Sequence, residues 1–389
     1  MSRALASRMG RLGTETAFEV LARARALEAQ GKDIVHLEIG EPDFDTPANI
    51  VQAGQKALGA GHTHYVPAAG IPELRQAIVA DSAKARGIEH DPSEVLVCPG
   101  AKPVMFYMIL ALVEEGDEVL YPNPGFPIYE SMIRFAGGTA VPVPLLEQNE
   151  FGFDLASFEK LLTPRTKLVI LNSPSNPTGG VLKPELLDGI AQLAVKHDFW
   201  VLSDEIYCRV LYEGRHSSIA ALPGMRERTV ILDGFSKIYS MTGWRLGYAL
   251  GPKALVNEMT RLQVNSASCT APFTQFAGCE ALTGPQEVPA KMVAVFKERR
   301  DRIVAGLNAL RGVSCLSPAG AFYAFPSIRG TGMKSQQCAD QLLHEAGVAV
   351  LPGTSFGAHG EGHIRLSYAN SMENIDKALV RMERMFGRK

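Results

Sequence analysis

Asp233-Gly234-Phe235-Ser236-Lys237 leads into Thr242-Gly243-Trp244-Arg245-Leu246-Gly247-Tyr248, and upstream an apolar run at 199–203 delivers Asp204-Glu205-Ile206-Tyr207. Each group adjoins a strand-like segment. Outward from them, roughly residues 50 to 285 alternate between extended and helical patterns. Strand candidates are 94–97, 118–121, 167–171, 199–203, 230–232 and 246–250, with helical stretches such as 104–113 and 184–197 between several of them. Strands that are apolar throughout and spaced by helices predict an α/β fold, with a mostly parallel sheet covered on both faces. Asp204 and Lys237 then fall near sheet ends, where open α/β sheets place their ligands.

The rest of the chain reads as a second unit. At 389 residues the length exceeds what one core usually serves, so two domains are expected. Residues 17–30 have helical periodicity and stop at Gly31, followed by an extended run at 34–39 and the turn-rich Gly40-Glu41-Pro42-Asp43-Phe44-Asp45-Thr46-Pro47. A charged helix at 292–310 leads to strand-like 321–325, a helix near 336–346, strand-like 348–351 and 363–368, and a terminal helix from Met372. The expected division is a large domain at 48–285 and a smaller, discontinuous α+β domain made of 1–47 and 286–389.

Composition excludes several classes. Hydrophobic residues make up 46% and charged residues 21%, ordinary values for a globular protein. The 39 basic and 41 acidic residues leave a net charge of −2, which suggests neither a nucleic-acid polymer nor an anionic membrane as partner. No stretch approaches the roughly 20 apolar residues of a membrane span. Six scattered cysteines, without a CxxC pair, read as reduced core thiols of a cytoplasmic enzyme. Arg3, Arg8 and Arg11 precede the first acid, Glu15, which faintly resembles a transit peptide; without an apolar segment a short solvated arm is expected instead. His62-Thr63-His64 and the pair His359 and His363 have metal-like spacings but lie in Gly-rich turns without Cys or carboxylate neighbours, so no metal is expected and solvated loops are.

The chemistry rests on a few side chains. A lysine such as Lys237 can form an imine with an aldehyde and, once freed, move protons. Asp204 can pair with a ring nitrogen and favour its protonated form; the plainer reading is a helix N-cap. Tyr207 and Asn176, the latter in the proline-stiffened Asn172-Ser173-Pro174-Ser175-Asn176-Pro177-Thr178-Gly179, can reach a phenolate oxygen. Pro99-Gly100-Ala101-Lys102 opens a helix after a strand, and amides at such a terminus bind phosphate, as can Arg245. The Lys102 cation could serve that phosphate or a substrate carboxylate. Arg365, alone in the apolar His363-Ile364-Arg365-Leu366-Ser367-Tyr368, carries a fork that suits carboxylates, although an edge-strand surface position reads equally well. An imine-forming lysine, a phosphate-holding arginine and a ring-pairing acid are what pyridoxal phosphate asks of a protein.

Taken in order, GEPDFDTP, YVPAAGIPELR, PGAK, NSPSNPTGG, SDEIY, GFSK, MTGWRLGY, GAFY and HIRLSY resemble the fold-type I, pyridoxal-phosphate-dependent aminotransferases of class I/II, and within them the bacterial aspartate-aminotransferase-like branch, from about Gly31 to the C-terminus. The resemblance implies the PLP-dependent transferase fold, with a mostly parallel sheet of the seven-stranded type. It implies that Lys237 anchors the cofactor covalently, that Asp204 pairs with its ring nitrogen, and that Tyr207 and Asn176 contact its phenolate oxygen. Arg245, Ser236 and the Gly100, Ala101 and Lys102 amides would serve its phosphate, and Phe126 would stack on the ring. Tyr65 matches a tyrosine that reaches the neighbouring subunit's site, which implies a homodimer. Gly40, Asn176 and Arg365 would receive the substrate α-carboxylate. Lys102 resembles a receptor for the distal carboxylate of aspartate or glutamate.

Three departures stand out. Gly234 occupies a place where many relatives have a serine, Phe126 replaces a tryptophan or tyrosine, and Ala17–Glu19 lack the small hydroxyl residues of aspartate-specific relatives. The expected reaction is ping-pong transfer of an amino group from an L-amino acid to a 2-oxo acid such as 2-oxoglutarate. Dicarboxylic donors are favoured slightly, with alanine, branched-chain or aromatic donors open. A β-lyase would share fold and cofactor but need no oxo-acid acceptor. A regulator would carry a DNA-binding module ahead of the cofactor domain, yet only 39 residues precede the GEPDF stretch, without helix-turn-helix or basic surplus.

Overall fold

The computed structural model of the protein describes residues 5–389; Arg3 of the arginine-bearing N-terminus lies outside them. Twelve strands occur among the described residues: β1 Val35–His36, β2 Val95–Cys98, β3 Glu118–Asn123, β4 Thr139–Pro144, β5 Thr166–Asn172, β6 Trp200–Asp204, β7 Thr229–Gly234, β8 Gly247–Leu250, β9 Tyr323–Ala324, β10 Val348–Ala349, β11 Leu351–Pro352 and β12 Ile364–Ser367. Seven of them form one sheet in the order β2-β8-β7-β6-β5-β3-β4. All neighbouring pairs are parallel except those of β8, which runs antiparallel to both β2 and β7.

Along its central strands both faces of this sheet are dry, and the sequence shows why. Successive residues of a strand point to opposite sides. Val169 and Leu171 of β5 enter one apolar cluster, with Leu187, Ile190 and Ala194 of the helix Pro184–His197. Leu168 and Ile170 enter another, with Val104, Met108 and Met132 from the helices Lys102–Leu112 and Ile128–Ala136. A strand buried on both sides must be apolar at every position, which is how these strands read. Each such Val, Leu or Ile contributes about 1.5–3 kcal/mol by leaving water.

One strand of this sheet was not expected. β4 reads Thr-Ala-Val-Pro-Val-Pro, and its two prolines argue against a strand. It is tolerated because β4 sits at the sheet edge and pairs only with β3, where missing amide donors cost nothing in the ladder.

The remaining strands make two small sheets. β1 pairs in parallel with β10, tying the N-terminal segment to the C-terminal one, and β11-β12-β9 form an antiparallel sheet. The extended stretch expected at 348–351 therefore splits, β10 going to β1 and β11 to β12. The helix near 336–346 is an α-helix, Ser335–Gln341, continued by a π-helical turn, Leu342–Ala346. Arg365 is not on an edge: β12 is the middle strand of its sheet, and the side chain is buried. His363 also departs from expectation, since it is buried rather than solvated and stacks on Phe325 with ring centroids 4.9 Å apart. No helix of the described residues is long and apolar enough to cross a membrane.

Candidate active site

The parallel strands β5, β6 and β7 end along one edge of the large sheet, and β2 ends on the same edge because two antiparallel steps through β8 restore its direction. Asn172 closes β5 opposite Asp204, which closes β6; Lys237 follows β7; the turn Pro99–Gly100 follows β2; and Arg245 just precedes β8. Residues far apart in the chain thus converge for a topological reason.

Between this edge and the small sheets lies a cavity of about 470 Å³, within the range that small-molecule sites occupy. Its lining includes Gly40, Ala101, Lys102, Phe126, Asn176, Asp204, Tyr207, Ser236, Lys237, Arg245 and Arg365. Gly100 adjoins it, because a Cβ there would collide with the Arg245 guanidinium. Of the residues singled out from sequence, only Tyr65 stands apart: it is 88% exposed and outside the cavity of its own chain.

At the floor, Asp204 is buried and accepts hydrogen bonds from the Tyr129 hydroxyl at 2.5 Å and from the Ile206 amide at 3.2 Å. The residues after Asp204 form a turn and not a helix, so the Ile206 bond closes that turn and the plainer N-cap reading does not hold. Burial pushes the Asp204 carboxyl up to about 6, partly offset by these hydrogen bonds. A cation placed against it would hold it ionised. Neighbouring Glu205 faces away and binds Arg86 Nε at 2.6 Å, while Arg86 Nη2 holds Asp233 at 2.5 Å, so one buried arginine clamps the ends of β6 and β7.

Lys237 Nζ donates to the Gly40 carbonyl at 2.7 Å. Burial lowers its amine to about 8, with Glu41 opposing and Arg365 reinforcing the shift. An amine attacks an aldehyde only in its neutral form. Covalent capture of the cofactor by the apoprotein is therefore expected to accelerate about tenfold per pH unit below pH 8 and to level off above it. A rate still climbing toward pH 10, followed by absorbance, would show an ordinary exposed lysine instead.

On the opposite wall, Arg365 donates to Asn176 Oδ1 at 3.2 Å and to the Glu38 carbonyl, while its buried Nε has no partner. Its guanidinium stacks 4.7 Å from the Tyr323 ring centroid. The Tyr323 hydroxyl in turn meets that of Tyr207 at 2.7 Å. A Cβ on Gly40 would strike this Tyr323 hydroxyl, which explains glycine there.

The phosphate end is a helix terminus. The helix Lys102–Leu112 begins with Ala101 at its N-cap, without a side-chain cap. Pro103 has no amide hydrogen, the Val104 amide donates to the Ala101 carbonyl at 3.1 Å and the Gly100 amide to the Cys98 carbonyl at 2.7 Å, which leaves the Ala101 and Lys102 amides for an anion. Arg245 stands beside them in a left-handed conformation, φ +53°, a strain tolerated mainly where geometry matters. Gly234 and Gly247 face each other across β7 and β8; a Cβ on Gly234 would press on Gly247, and one on Gly247 would press on Gly100 and Ala101. The absence of a serine at 234 is thus matched by close backbone packing. An acid at depth, an uncapped helix terminus with an arginine, and a low-pKa lysine between them fit pyridoxal phosphate, with Phe126 on the cavity wall.

Sequence reasoning passed over Tyr129, Tyr323 and Glu15. Tyr323 lies in the recognised GAFY stretch, a signal that was present but unused. Tyr129 and Glu15 had none, because their partners Asp204 and Lys102 are remote in sequence.

A sheet of this order with a lysine, an aspartate and an arginine at its carboxyl edge defines a pyridoxal-phosphate enzyme of the transferase fold. The chain matches the model of the family described as aminotransferase class I and II over residues 32–382. It is 43% identical to an aspartate aminotransferase of Pyrococcus abyssi, covering 92% of this chain and 93% of that one, and 41% identical to an aromatic-amino-acid aminotransferase of Thermococcus litoralis, covering 93% and 94%. The solved aspartate aminotransferase of Thermus thermophilus with maleate superposes with a TM-score of 0.94 at 41% identity, covering 98% of this chain and all of that one. The chain belongs to the class I and II aminotransferases, and it is a pyridoxal-phosphate-dependent transaminase.

Proposed function

We propose that the protein moves the amino group of an L-amino acid to a 2-oxo acid, 2-oxoglutarate foremost, by a ping-pong reaction in which aspartate and glutamate are the favoured donors. The observation that carries the donor preference is the presence of two cations, Arg365 and Lys102, on one cavity that also holds Lys237. Two receptors suit a substrate with two carboxylates. When bound, pyridoxal phosphate supplies an aldehyde carbon for the amine and a ring that draws electrons from the substrate Cα.

The side chains would divide the work as follows. Arg365, with its unpartnered Nε, receives the α-carboxylate beside Asn176 and the Gly40 backbone. Lys237 Nζ would anchor the cofactor, and as a free amine it would take up and release the Cα proton; its lowered amine pKa suits a base near neutral pH. Asp204, steadied by Tyr129, would pair with the ring nitrogen and favour its protonated form. Tyr207 and Asn176 would contact the phenolate oxygen, and Arg245, Ser236 and the Ala101 and Lys102 amides would hold the phosphate, with Gly100 giving room for its approach. Lys102 Nζ, 5.4 Å from the Phe126 ring centroid, receives the distal carboxylate. A charge-assisted bond of that kind is worth about 1.5–3 kcal/mol.

Around this site, residues 48–285 would form the large domain, and 1–47 with 286–389 the small one, a division supported by the pairing of β1 with β10. The exposure of Tyr65 supports a homodimer in which it reaches the neighbouring site, and six free cysteines support a cytoplasmic enzyme. Neutral and aromatic donors form the second reading, favoured by the apolar lining of Ala17, Phe18, Ile39 and Phe126 and by the relative named for aromatic amino acids. A half-reaction screen separates them: the pyridoxal form is mixed with single amino acids and bleaching of its visible band is timed. Aspartate and glutamate are expected to bleach it fastest; parity with alanine would defeat the role given to Lys102.

A further inference from the structure

Glu15 is a carboxylate of the cavity without a part in the reaction described above. It occupies the N-cap position of the helix Thr16–Glu28 in extended conformation, φ −93° and ψ 117°, and its side chain makes no capping hydrogen bond. Short side chains such as Ser or Asp cap best, because their oxygens reach back to the first amides. The longer Glu15 crosses instead to the Lys102 ammonium and forms an ion pair with it. Both residues line the main cavity, and Glu15 also borders the small recess shared with Phe126, Asn176, Phe356 and Arg365.

Glu15 therefore touches one cation, Lys102, and shares a cavity wall with a second, Arg365. Its charge is felt at Arg365, Tyr323 and Lys237. A dicarboxylic substrate held at Arg365 by its α-carboxylate would direct its second carboxylate toward the place Glu15 now fills. The pair is open to solvent, with the Lys102 side chain 47% and the Glu15 side chain 19% exposed, so water can replace either partner when they separate.

We propose that Glu15 is a specificity-determining residue: its carboxylate holds Lys102 in the free enzyme in place of a substrate's distal carboxylate, and must swing aside to admit one. The proposal rests on the reading of Lys102 as the distal-carboxylate receptor. With a dicarboxylic donor, Glu15 leaves, because two carboxylates on one ammonium repel each other. With a neutral or aromatic donor, Glu15 stays on Lys102 and the apolar wall of Ala17, Phe18 and Ile39 meets the side chain. One cavity thereby admits both classes, and the internal competitor tempers the preference for aspartate.

The test uses the holoenzyme and maleate, a dicarboxylate that carries no amino group to transfer. Glu15→Gln is expected to bind maleate roughly two- to fivefold more tightly by calorimetry, the factor that a part-exposed ion pair can exert. The aspartate-to-phenylalanine ratio of kcat/KM should rise by about the same factor, through a lower KM for aspartate. Lys102→Met is measured alongside and should weaken maleate binding. If Lys102→Met weakens maleate and Glu15→Gln leaves it unchanged or weaker, the role of Glu15 is overturned while that of Lys102 stands. If Lys102→Met binds maleate as well as the parent, the receptor reading itself falls.

Discussion

Lys237→Ala is expected to lower turnover by roughly 10⁴-fold or more, since it removes both the covalent anchor and the proton carrier. The visible band of the bound cofactor should disappear with it. The fold should survive, because the Lys237 side chain makes a single hydrogen bond, to the Gly40 carbonyl, and lines a cavity rather than filling a core. Removing a partly buried amine from apolar surroundings costs little packing and relieves some desolvation. A variant that kept both the band and turnover would sink the assignment of this lysine. The two readouts also separate its two tasks: an added small amine that restores proton transfer without restoring the protein-bound band would isolate the second.

Asp204→Asn is expected to lower kcat by roughly 10²–10³-fold, the scale of losing one preorganised electrostatic partner in a water-poor site. Asn keeps the shape and can still accept from Tyr129, but its NH2 then replaces the oxygen that takes the Ile206 amide, so the change removes the charge together with that one hydrogen bond. Cofactor binding should persist, because the phosphate end is untouched. The apoprotein offers a second readout. Asp204 has its pKa raised from 3.8 to about 6, so between these values the folded state binds more protons than the unfolded one, and this residue's contribution to stability falls as pH rises. Above about pH 6 the asparagine variant should therefore unfold at the same or a higher Tm. Full activity in Asp204→Asn would remove the carboxylate from the mechanism; a collapse of Tm would recast it as a structural residue.

Much of the fold was legible because the large sheet is buried on both faces. β5, β6 and β7 must be apolar at each core position, and such runs separated by amphipathic helices have few alternative readings. β4 was hidden because only an edge strand can carry Pro142 and Pro144, and edge status is a property of the assembled sheet. The split between β10 and β11 was hidden for a related reason: one apolar run serves two sheets, and pairing partners are not written in it.

For the site, the residue types near Lys237, Asp204 and Arg245 declared the cofactor chemistry by local pattern, since each motif is short and chemically unusual. Sequence alone left Arg365 undecided between surface and site, because burial depends on what packs over β12. Likewise, only the folded chain lowers the Lys237 amine to about 8, raises Asp204 to about 6, sets Tyr129 on Asp204, and lays Glu15 against Lys102. Which groups are available is a covalent property of the chain. Their pKa values and their partners come from desolvation and proximity, and those exist only after distant segments have met.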